Sequence, residues 1–123
     1  MALTPRDRER LQVLESFTNR MHHLRALVER LAAERADPEA AALQCRRAFN
    51  QFKLQLTGAG FDTMAIQCGA MELTARRGMP QAAKVRMLRD GLGSLTRMID
   101  TERRLITMAA ARDAPKDADD AAS

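Results

Sequence analysis

His22 and His23 are the only imidazoles of the chain, and Cys45 and Cys68 are its only thiols. A histidine pair can carry a phosphoryl group on a helical bundle if it faces solvent. The helical register derived below puts both at outward positions, where a solvated pair is the commoner explanation, and no recognisable motif surrounds them. A structural zinc needs three or four converging ligands, yet neither Cys has a second Cys or a His within two to four residues. A Glu-x-x-His pair of the di-iron bundle kind is also missing from the sequence. Metal ligation is therefore not expected.

A reactive thiol needs a nearby cation or a helix start to lower its pKa. Cys45 and Cys68 instead fall on apolar helical stripes and read as reduced core residues, too far apart in sequence to suggest a disulfide framework. Catalysis by paired carboxylates requires acids on facing buried stripes, and Glu102 is the single acid at such a position. Its neighbours Arg103 and Arg104 project elsewhere, which predicts an Arg from another helix as its partner. Ser16, Ser94 and Ser123 have no His in a triad context, and Gly58-Ala59-Gly60 lacks the Lys-Ser/Thr of a phosphate-binding loop. No catalytic residue or cofactor site emerges, so the expectation is a non-enzymatic protein.

The elements that carry these residues are legible in apolar spacing. Thr4-Pro5 followed by Asp7 is a helix start, with Thr as N-cap, Pro at the first helical position and an acid near the positive end of the dipole. Leu14, Phe17, Met21, Leu24, Val28 and Leu31 then alternate steps of three and four, predicting a first helix to about Glu34. Asp37-Pro38-Glu39 repeats the start signal. Ala42, Cys45, Phe49, Phe52 and Leu56 continue the spacing until Thr57-Gly58-Ala59-Gly60 breaks it. A third helix opens near Phe61-Asp62, presents Phe61, Met64, Cys68, Met71 and Ala75, and stops at Arg76-Arg77-Gly78. Pro80 introduces a fourth with Val85, Leu88, Leu92, Leu95, Ile99 and Ile106 inward. Gly91 and Gly93 each cost this helix about 1 kcal/mol relative to Ala, so they mark either a close backbone crossing or a bend. An unbroken helix is the expectation, with a turn at Asp90-Gly91 the alternative.

These elements predict an all-α fold: an antiparallel four-helix bundle, long-short-short-long, over residues 1–111, with a disordered acidic tail over 112–123. A domain of this size can stand without disulfides or a structural metal. The charged start at residues 1–10 is no signal peptide, and no apolar run reaches membrane-spanning length, which points to a cytoplasmic protein without membrane or small-molecule partners.

Charge is unevenly distributed. Residues 1–112 hold 19 Lys and Arg against 12 Asp and Glu, a net of +7, whereas the tail holds four Asp and one Lys, a net of −3. Arg46, Arg47 and Lys53 on the second helix with Arg86, Arg89, Arg97 and Arg104 on the fourth are candidate nucleic-acid contacts. Against that reading, 17 of the 20 cations are Arg, a bias that a GC-rich genome produces unaided, and Trp and Tyr platforms for base stacking are missing. The preferred expectation is an adaptor, chaperone or regulatory subunit that binds a protein or a second copy of itself. Long outer helices overhanging a short central hairpin would leave apolar surface uncovered, with Leu11, Val13, Leu27, Met87, Met98 and Leu105 as candidate contacts.

Overall fold

The structure, a computed structural model, describes residues 3–122, with side chains through Arg112. It contains α1 (Pro5–Ala33), α2 (Pro38–Gly58), α3 (Asp62–Arg76) and α4 (Gln81–Ala122), with no strand among the described residues. The Thr4 hydroxyl accepts from the Asp7 N–H at 3.0 Å, and the Asp37 carboxylate accepts from the Ala40 N–H at 3.1 Å, so both N-cap signals are realised. Gly60, at φ +83°, turns α2 back into α3 through a left-handed conformation that few other residues adopt.

All the stripe residues named above are buried and form one core, in which Phe17 meets Phe52 and Phe61 edge to face at centroid distances of 5.1 and 5.7 Å. Each helix packs against two others: α1 against α2 and α4, and α3 against α2 and α4. The bundle is therefore a ring in which α2 and α4 occupy opposite corners. Cross-contacts from Arg10 to Glu102, Arg25 to Thr96 and Glu29 to Arg89 run down α4 as they climb α1, so these two helices are antiparallel.

α4 is unbroken through both glycines, and only Gly91 has a packing reason. A Cβ there would lie 2.6 Å from Met71 Cγ, whereas one at Gly93 would meet only Arg97 Nη1 at 3.7 Å. Gly91 is the close crossing of α3 over α4. The helical backbone of α4 extends to Ala122, past the boundary expected at residue 112. The expected disorder of the tail falls mainly on 113–123, whose side chains lie outside the described residues.

α3 has 15 residues against the 29 of α1, or about 22 Å against about 44 Å at 1.5 Å per residue. The first turns of α1 and the last described turns of α4 consequently run past the end of the α2–α3 hairpin. At that end Arg10 donates to Glu102 at 3.0 Å and lies 5.2 Å from the Phe61 ring centroid. The seam acid thus has an Arg from another helix as partner. Arg10 sits one four-residue step before Leu14, so both polar groups occupy inward positions where the bundle opens to water.

Candidate interaction surfaces

Cys45 and Cys68 are free and buried; desolvation pushes their thiols up to about 11 and about 12, leaving almost no thiolate at neutral pH. Cys68 also donates to the Phe49 carbonyl at 3.2 Å. His22 and His23 are both exposed, at the outward positions their register predicts. Among the described residues no three His, Cys, Asp or Glu side chains gather as metal ligands, and no helix is long and apolar enough to cross a membrane.

The six apolar contact candidates divide. Leu11, Val13, Leu27 and Met98 are partly buried and pack against the chain's own core. Their widened faces are thus largely used within the bundle, because α1 and α4 lean on each other along most of their lengths. Met87 is 45 % exposed beside Gln67 and Ser94, and Leu105 is 55 % exposed near Met108 on the overhanging part of α4.

A larger exposed apolar set lies where the spacing gave no warning. Ile66 is 74 % exposed and Leu54 62 % exposed, and Leu73 and Leu43 are exposed as well. At 100° per residue, Ile66 and Leu73 sit opposite the inward line of Met64, Cys68, Met71 and Ala75, and Leu43 and Leu54 sit opposite that of Cys45, Phe49, Phe52 and Leu56. Four aliphatic side chains therefore project from the outer face of the α2–α3 hairpin. Two isolated residues per helix leave no periodic trace beside a full stripe; the signal available was their placement half a turn away from it.

The hairpin beneath is well tied. Glu72 accepts from Arg76 at 2.7 Å and from Lys53 at 3.5 Å, and the Arg76 hydrogen bond above all holds its carboxyl below the usual range. Arg47, Arg76 and Arg77, with the exposed carboxylate of Glu39, flank the outer face toward its Leu43–Leu73 end, and Asp62 lies near the other.

The seven candidate nucleic-acid cations are not gathered on one surface. Arg46, Arg47 and Lys53 belong to α2 and Arg86, Arg89, Arg97 and Arg104 to α4, at opposite corners of the ring. Lys53 is paired with Glu72, Arg89 is held by both carboxylate oxygens of Glu29 at 2.5 and 2.8 Å, and Arg97 donates to Ser94. Arg47, Arg86 and Arg104 are exposed, and Arg46 turns into a cleft at the end of the bundle. Comparison with protein-family models, curated proteins and solved structures finds no match.

Proposed function

We propose that the chain is a non-enzymatic helical adaptor or regulatory subunit that docks an amphipathic helix of a partner protein on the outer face of α2 and α3. The observation that carries this reading is the exposure of Ile66 and Leu73 on one line of α3, with Leu54 exposed on the neighbouring α2. Complete burial of a Leu or Ile side chain is worth about 1.5–3 kcal/mol relative to leaving it in water. A fifth helix lying along the hairpin would realise that gain, and Arg47, Arg76 and Arg77 at one end favour acidic residues on the corresponding end of the partner. Burial of the two thiols supports the non-enzymatic part.

A photocrosslinking side chain placed at position 66 in the source cells tests the reading, with the same group at position 22 as control. A discrete adduct from position 66 that is absent from position 22 and from the Leu54→Asp background supports it. Its mass separates a foreign partner from a second copy of the chain. Matching adduct patterns at both positions would remove the reading. A nucleic-acid role would reveal itself differently. The chain has no Trp or Tyr, so a 260 nm band that leaves the protein at high salt would mark bound nucleic acid and displace this proposal.

A further inference from the structure

Where the α1–α2 and α3–α4 connections meet, the bundle end holds a cleft of about 390 Å³, within the roughly 300–1,000 Å³ of small-ligand sites. Leu31, Ala42 and Ala75, all buried core residues, reach its floor, and Met79 borders it. Four cations line it, Arg46, Arg76, Arg77 and Lys84, against the single carboxylate of Glu39. Arg76 is already held by Glu72. The Arg46, Arg77 and Lys84 side chains make no hydrogen bond or ion pair among the described residues, although Arg46 and Lys84 are half-buried. Three cations without an ion pair, outnumbering the one carboxylate of Glu39, therefore surround an aliphatic floor.

We infer that this cleft binds a small amphipathic anion, an aliphatic carboxylic acid whose chain covers Leu31, Ala42 and Ala75 while its carboxylate meets Arg46, Arg77 and Lys84. The lining contains no aromatic ring on which a nucleobase could stack, which separates this ligand class from nucleotides. Partly desolvated cations favour a carboxylate over a neutral head group, and the floor favours a chain over an inorganic anion. The cleft shares Leu43, Arg76 and Arg77 with the near end of the outer face of α2 and α3, whereas Ile66 and Leu54 lie outside its lining.

Octanoate is the probe, read by methyl spectra of the full chain carrying ¹³C-methyl methionine, with Met79 reporting on the cleft and Met108 on the far end of α4. Saturable movement of Met79 at one equivalent, with Met108 unmoved, is the expected result. Arg46→Glu with Arg77→Glu should weaken binding by about tenfold or more, and octan-1-ol and inorganic phosphate should each bind at least about tenfold more weakly than octanoate. Ile66→Asp should leave octanoate binding unchanged. If the double reversal fails to fold by circular dichroism, Lys84→Met carries the same comparison. An unmoved Met79, equal binding by the charge variants, or equal binding of octanol overturns the inference, and loss of binding in Ile66→Asp would transfer the ligand to the outer face.

Discussion

A Cβ at Gly91 would come within 2.6 Å of Met71 Cγ and 2.7 Å of its Sδ, in a contact already closed by Gln67, whose side-chain amide donates to the Gly91 carbonyl at 3.3 Å. Ala is preferred over Gly in a helix interior by about 1 kcal/mol, but overpacking a filled core costs about 1–3 kcal/mol. Met71 is flexible enough to keep the cost toward the lower end. Gly91→Ala should therefore bring no gain and destabilise the protein by up to about 1 kcal/mol net. Gly93, two residues on, has only the mobile end of Arg97 near it, so Gly93→Ala should stabilise by about 0.5–1 kcal/mol. Urea unfolding of the two variants checks the pair; the same sign in both would mean that the α3–α4 crossing is looser than its contacts indicate.

Among the connections between elements, Gln81 does the most with one side chain. From the first turn of α4 its amide donates to the carbonyl of Leu31, which also accepts from the Glu34 N–H at 3.3 Å, and to that of Glu34 at 2.8 Å, at the end of α1 where carbonyls lack helical partners. Gln81→Ala should cost about 1–2 kcal/mol, because the Glu34 carbonyl loses its donor and the Leu31 carbonyl keeps only the Glu34 N–H. Gln81→Glu should cost more, because a carboxylate would face them; chemical denaturation orders the three proteins. On the hairpin, Glu72 carries a carboxyl lowered first by its hydrogen bond to Arg76 and further by Lys53. In the acid range the unfolded chain holds a proton there that the folded chain does not, so stability rises with pH. The contribution is complete above the ordinary carboxylate value and is lost as pH falls through the lowered one. Glu72→Gln should lower stability near pH 7 by about 0.5–1 kcal/mol and show a shallower acid loss below about pH 4.5 than the parent, measured as unfolding midpoints across the range.

Over the whole molecule, the seam was legible because each inward stripe repeats at three and four residues, and Glu102 announced an Arg partner by interrupting one. Its partner Arg10 lies just outside the run that begins at Leu14, so the spacing that found the helix did not name it. The ring order of the helices was not legible, since amphipathic stripes specify that a face is buried and not against which neighbour. That order separates the Arg residues of α2 from those of α4. The cleft at the bundle end draws on α1, α2, α3, α4 and a connection at once, which no single-helix pattern encodes. Charge asymmetry, by contrast, belongs to the sequence and leads to a prediction about the intact protein. Residues 1–112 carry +7 and residues 113–123 carry −3. A chain ending at Arg112 keeps every core residue among the described ones, Ile106 and Ala110 included. Its thermal midpoint should stay within about 2 °C of the parent, since roughly 1 kcal/mol moves a domain of this size by about 4–8 °C. Its retention on an immobilised polyanion should increase, because four carboxylates that compete for the Arg residues are gone, and the increase should fade as salt shortens the screening length from about 10 Å at 0.1 M toward about 3 Å at 1 M. A midpoint drop well beyond that margin would instead place part of the tail within the folded domain, and unchanged retention would mean that its charge acts too far from the Arg residues to compete.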